Sequence, residues 1–311
     1  MAGEIEQYLM DKFQKGIESN NISSSNSSKI PLLTKFQAVQ KLLDQILNSP
    51  PQPAVDPFSS LERLILRDDG RFKAAAIIGA EGVGKTTLCE TVFNMEKVKS
   101  RFSPRAWVSS TSGIFHDEEY KRNPRIAFAR RILASLGVES EMVERVVEDH
   151  GLRGLVCALH LELIGKRYLI VLDDARETDP WYGRLGSCLG EEKGGWEECL
   201  GYGLPKGSGG MVIVTSRNEG VAKRMIGDEG SLIPVLPLSD GDSCWKIFKD
   251  TVEKDGLSFS PLNEEELKRE VLEKCGGIPL GAKMLGMAMY EQLQKANLVH
   301  QRHQYPSVQK H

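Results

Sequence analysis

Gly79-Ala80-Glu81-Gly82-Val83-Gly84-Lys85-Thr86-Thr87 fits the phosphate-binding pattern G-x-x-x-x-G-K-[ST], and its flanks give it a fold. Ala74-Ala75-Ala76-Ile77-Ile78 before it is an apolar run of buried-strand length. After it, Leu88, Val92 and Met95 recur at helical spacing and predict a helix over Lys85–Glu96. Strand, glycine loop and helix together aim backbone N–H groups and a helix N-terminus at phosphates. Gly79, Gly82 and Gly84 permit backbone geometry and close approach that a Cβ would obstruct. Lys85 supplies charge for the β- and γ-phosphates, the Thr86 hydroxyl suits Mg²⁺, and Thr87 adds a phosphate hydrogen bond. The competing reading is a glycine-rich turn with a surface lysine.

Working outward, apolar runs at Arg105–Ser109, Tyr168–Asp174, Met211–Thr215 and Leu232–Val235 read as further strands. Helical patterns cover 58–67, 124–136 and 140–164, the last interrupted near Gly151 and Gly154. Strands apolar on both faces and alternating with helices predict a parallel sheet covered on both sides, with ligands at the strands' carboxyl ends. Residues 176–210, rich in glycine and acidic residues and holding Trp181 and Trp196, read as a long surface insertion. From Asp240 the chain turns helical over 241–255, 264–275 and 279–294, with Leu280, Met284, Leu285, Met289 and Leu293 as bundle core.

Two amphipathic helices are expected near the amino terminus, over 4–17 and 34–47, joined by a serine- and asparagine-rich linker. They pack on their own domain or bind a partner. Pro50, Pro51, Pro53 and Pro57 mark a boundary. The expected division is therefore 1–50 for these helices, 51–240 for the nucleotide-binding domain, 241–295 for a helical subdomain and 296–311 for a polar tail. In that tail His300, His303 and His311 suggest a frayed end over a metal site.

The chain has 311 residues and a net charge of -3, so no global basic field points to nucleic acid. Six dispersed cysteines without zinc spacing suit reduced thiols in a cytoplasmic protein. No apolar stretch reaches transmembrane length.

A phosphate loop needs a second half. Asp173, ending an apolar strand, is placed to reach Mg²⁺, and Asp174, pointing elsewhere, to act as general base toward water. Solvated turn carboxylates are the plain alternative. Arg217 follows a strand expected between the loop strand and the acidic strand, where a cation senses or stabilises γ-phosphate charge. Asp173-Asp174-Ala175-Arg176 is not D-x-x-G, and no N-K-x-D sequence is present, so adenine is preferred over guanine.

Taken in order, six blocks resemble the NB-ARC domain of plant intracellular immune receptors: the phosphate loop, Phe102–Ser109, Lys166–Asp174, Gly209–Arg217, Leu236–Ser239 with Ser243–Phe248, and Cys275–Leu280. The resemblance covers about residues 72–290. It implies an α/β phosphate-loop NTPase sheet (STAND/AAA-related) with a helical, ARC1-like subdomain. It also implies a switch in which ADP holds a closed state and ATP an open, oligomerising one. Pro279 would then pack near the adenine, although a helix-starting proline is equally explained by packing. ADP/ATP and Mg²⁺ are the expected cofactors, immune receptors or further copies of the chain the expected partners, and slow regulatory ATP hydrolysis the most to expect.

Departures from the family pattern are informative. Ala80-Glu81 replaces the usual methionine and glycine, and a carboxylate beside polyphosphate weakens binding unless it faces solvent. The glycine–arginine adenine motif has no clear counterpart over 50–71. The chain ends soon after the helical subdomain, so a truncated form without winged helix or leucine-rich repeats is expected. A scaffold or decoy acting through helical contacts is the alternative function. A metabolic phosphotransferase is a third, without an acceptor motif to support it.

Overall fold

Five short apolar strands form one parallel sheet in the order β2-β3-β4-β1-β5. They are β1 (Lys73–Ile78), β2 (Arg105–Ser109), β3 (Leu169–Asp173), β4 (Met211–Ser216) and β5 (Ser231–Pro234). The structure, a computed structural model, describes residues 56–109, 122–186, 199–256 and 263–304, with side chains to residue 295. All lie in one compact unit that begins at Asp56. The helices expected over 4–17 and 34–47, Trp196, His311 and the side chains of His300 and His303 fall outside the described residues.

Alternation along the strands builds two cores. Ala74, Ala76, Ile170, Leu172, Val212 and Val214 point to one face. Ala75, Ile77, Leu169, Val171, Met211 and Ile213 point to the other. Each strand is thus covered twice, as a parallel sheet requires. Helix α1 (Pro57–Leu66), α2 (Lys85–Phe93) and α3 (Glu96–Arg101) cover the second face with Leu61, Ile65, Cys89, Val92 and Val98. The Asp56 carboxylate accepts the Phe58 and Ser59 N–H groups at 3.3 and 3.0 Å, and Pro57 starts α1 without wasting a donor.

The helix expected over Lys85–Glu96 is divided. Phe93 is its last residue, and Met95 adopts an extended conformation (φ −62°, ψ 136°) before α3 begins. Met95 and Phe93 both pack against the core, which overrides the continuous helical spacing. Across the sheet lie α4 (Pro124–Ser135), α5 (Ser140–Leu163) and α6 (Glu219–Ile226). Only Gly151 breaks α5, at φ 59° and ψ −144°. Gly154 stays helical, and a Cβ there would come within 2.5 Å of the His150 Cβ.

The described parts of 176–210, residues 176–186 and 199–210, are not a surface insertion. Trp181, Tyr182, Leu185, Leu200 and Leu204 are buried in the core, and short 3-10 turns at Pro180–Tyr182 and Leu200–Gly203 carry several of them. The Leu185 N–H donates to the Met225 carbonyl at 2.7 Å, and that of Gly186 to Ile226 at 3.1 Å, so the segment is stitched to the end of α6. Trp181 meets Tyr182 edge-on, with centroids 4.9 Å apart.

The carboxyl-terminal part packs α7 (Gly241–Val252), α8 (Glu264–Cys275) and α9 (Pro279–Gln304) around Trp245, Phe248, Val252 and Val271. Leu285, Met289 and Leu293 join that cluster as expected. Leu280 and Met284 do not, remaining 43% and 62% exposed. α9 also runs ten residues beyond the expected 294, and α7 stops three short of 255, where a 3-10 turn follows.

Replacing a buried aromatic with alanine costs about 3–5 kcal/mol, whereas surface changes stay within about 0.5 kcal/mol. Trp181→Ala therefore lowers the urea midpoint of the whole chain by an amount in the buried range. A midpoint unchanged from wild type would return this segment to the surface.

Candidate functional site

The carboxyl ends of β1, β3 and β4 bring the site together. Register pairs Ile77 with Thr215 and Leu172 with Val214, so the strand ends lie at one level. The loop Gly79–Gly84 leaves β1 there and feeds α2. Gly84 is the α2 N-cap, and no side chain caps the helix, leaving first-turn N–H groups as donors for an anion.

Two glycines in the loop are fixed by close approach. A Cβ on Gly79 would sit 2.3 Å from the Val235 carbonyl oxygen. One on Gly82, whose φ is 73°, would sit 2.6 Å from the Leu280 Cβ. The Leu280 N–H also donates to the Gly82 carbonyl at 3.2 Å, which fastens the start of α9 to the loop. Pro279, expected near the ligand, lines the same cavity one residue earlier.

That cavity holds about 550 Å³, within the usual range for small-molecule sites. Its wall includes Glu81, Gly82, Gly84, Lys85, Thr86, Thr87, Asp173, Asp174, Arg217 and Pro279 from the expected set. Gly79 and Ala80 contribute differently, through carbonyls that accept from Lys85 Nζ at 2.9 and 2.8 Å. The Val83 side chain is core, 3% exposed. Sequence reading missed Thr215, Ile247, Leu280 and Lys283. Lys283 stands one helical turn after Pro279, a spacing that would have flagged it; Ile247 gave no such signal.

Lys85 is almost fully enclosed, and burial pushes its pKa below the usual lysine range. The nearby Arg217 charge pushes the same way, against Asp174, Asp173 and Glu81. Two cations therefore converge on one cavity closely enough to repel each other, which a polyanion between them would relieve.

Asp173, 7% exposed, accepts the Thr86 hydroxyl at 3.0 Å and the Thr215 hydroxyl at 2.6 Å, both on Oδ1. A hydroxyl and a carboxylate this close are hard oxygen donors of the kind Mg²⁺ takes, with water and phosphate completing its shell. The residues fit that ion. Asp174, with φ 53°, turns the other way: Arg176 Nη2 meets its Oδ2 at 2.6 Å and Arg217 Nε its Oδ1 at 3.3 Å. Its N–H donates to Thr215 Oγ1 at 2.8 Å. Arg217 Nη1 also pairs with Glu81 Oε2.

Comparison with known proteins agrees with this geometry. The NB-ARC domain model matches residues 59–258. The chain belongs to the NB-ARC family. Among similar sequences, the Arabidopsis thaliana "Probable disease resistance protein At4g19060" is 35% identical, over 86% of this chain and 79% of its own length. "Probable disease resistance protein At5g45490" from the same plant is 37% identical, over 73% and 71%. "Disease resistance RPP13-like protein 4", also from Arabidopsis thaliana, is 36% identical over 72% of this chain but 23% of its own length. The NB-ARC sheet here is that of a phosphate-loop NTPase, with β4 between β1 and β3 as the sequence order of its motifs implied. Among the described residues no helix is long and apolar enough to cross a membrane.

Thr215 is the buried joint of this arrangement, donating to Asp173 and accepting from the Asp174 backbone. A buried polar group stripped of its partner costs about 1–3 kcal/mol. Thr215→Val is expected to destabilise the protein by that amount in denaturant unfolding, while Thr215→Ser, keeping the hydroxyl, recovers most of it. Equal stability of the valine and serine forms would show that the hydroxyl contributes nothing.

Proposed function

We propose that this NB-ARC protein binds ADP or ATP at Gly79–Thr87 and acts in the cytoplasm as a nucleotide-dependent switch in plant defence signalling, together with protein partners. The convergence of Lys85, Arg217 and the uncapped end of α2 on one cavity supports nucleotide binding most directly. That its Arabidopsis relatives are named as probable disease resistance proteins supports the defence role.

In this reading Lys85 leaves its loop carbonyls for phosphate oxygens, and Arg217 answers terminal phosphate charge. Thr86 and Asp173 would hold Mg²⁺, which when bound would neutralise phosphate charge. Pro279, Leu280 and Ile247 offer the apolar part of the cavity to the adenine ring. Asp174 faces water as a base. Its two carboxylate oxygens each meet one arginine, Arg176 at 2.6 Å and Arg217 at 3.3 Å. Any hydrolysis in this reading is slow and regulatory. The hydrogen bond from Leu280 to Gly82 gives the helical part a direct tie to loop conformation.

Equilibrium titration with fluorescent ADP tests the reading. Wild type binds at micromolar concentration or tighter, and Lys85→Arg weakens binding at least about tenfold, the equivalent of roughly 1.4 kcal/mol. No binding by either form sinks the switch and leaves a scaffold acting through helical contacts.

A further inference from the structure

Arg217 is held between two carboxylates from different segments. Its Nε faces Asp174 at the end of β3, and its Nη1 pairs with Glu81 inside the phosphate loop. Glu81 and Arg217 are 136 residues apart in sequence, so folding of the sheet alone brings them together. Both line the cavity that Lys85 and Thr86 also line. Glu81 is close enough to act on the Lys85 charge as well. A loop carboxylate therefore supplies negative charge to the cation expected to meet the last phosphate of a nucleotide.

We propose that Glu81 is a specificity-determining residue of this site: an anion built into the chain that occupies Arg217 in place of a terminal phosphate and so favours nucleoside diphosphate over triphosphate. The inference rests on the nucleotide reading above. A diphosphate reaches Lys85 and the start of α2 and leaves the Glu81–Arg217 pair intact. A triphosphate must displace Glu81 from Arg217 and then lies beside the freed carboxylate. Asp174 does not serve in the same way, because Arg176 holds it independently of Arg217.

Exposure sets the size of the effect. The Arg217 side chain is 38% exposed and that of Glu81 66%, so solvent screens the pair and it opens readily. A barrier of this kind biases the choice of nucleotide without forbidding triphosphate.

The test uses the full chain with Mg²⁺, measuring competition against fluorescent ADP by ADP and by a non-hydrolysable ATP analogue. Glu81→Gln keeps the side chain's shape and removes its charge. It is expected to raise the triphosphate-to-diphosphate affinity ratio about fivefold, the scale of one exposed ion pair. In an Arg217→Ala background the same change is expected to move the ratio by less than about twofold, since the two residues act as one unit. A ratio unchanged by Glu81→Gln overturns the inference. So does equal tightening of both nucleotides, which would mean general repulsion of phosphate, or a full ratio change persisting without Arg217. In each of these cases nucleotide still binds and the switch reading stands. Wild type that binds neither nucleotide overturns the switch reading and the inference with it.

Discussion

The buried carboxylate of Asp173 is the point on which the site depends. Both of its hydroxyl partners sit on one oxygen, Thr86 from α2 and Thr215 from β4. A carboxylate taken from water is costly unless hydrogen-bonded, so these partners cannot drift. Meeting that demand fixes three segments at once: β3 must end level with β4, β4 must lie beside β1, and α2 must start next to both. The strand order β3-β4-β1 does this without a long loop. The apolar cores on either face then hold the ends in register.

The same junction explains how charge is distributed around the cavity. Cationic Lys85 is retracted onto the carbonyls of Gly79 and Ala80, while Arg217 is shared between Glu81 and Asp174. Each cation therefore has a local partner that a ligand can replace. Arg176 anchors Asp174, so rearranging Arg217 need not release both carboxylates. The site is electrostatically provisioned on its own, so in the proposed reading nucleotide binding would be an exchange of partners rather than the filling of a bare positive pocket.

Much of this was legible in the sequence because continuous apolar runs and a glycine loop are local signals. Strands ending in Asp173 and Thr215 were found by composition, and the order of motifs placed β4 centrally. What escaped depended on tertiary partners. Trp181 and Tyr182 lie among glycines and acidic residues that read as surface, yet the end of α6 supplies their backbone bonds and the core their rings. Met95 kept helical spacing, but packing pulled it out of the helix. Leu280 looked like bundle core because it belongs to the apolar set of the final helix, and nothing local says that a glycine loop waits opposite. The Glu81–Arg217 pair was divided in the sequence between an odd loop residue and a motif arginine, and neither names the other.

The bond from Leu280 to Gly82 gives α9 a mechanical meaning. Pinned to the loop at its first turn, the 26-residue helix is a rod about 39 Å long at 1.5 Å rise per residue. A tilt of roughly 5° at that base carries the far end through about 3 Å, the width of a water molecule. A loop shift that carried Leu280 with it would therefore be largest at the far end of the helix, and Leu285, Met289 and Leu293 would pass it to the cluster around Phe248.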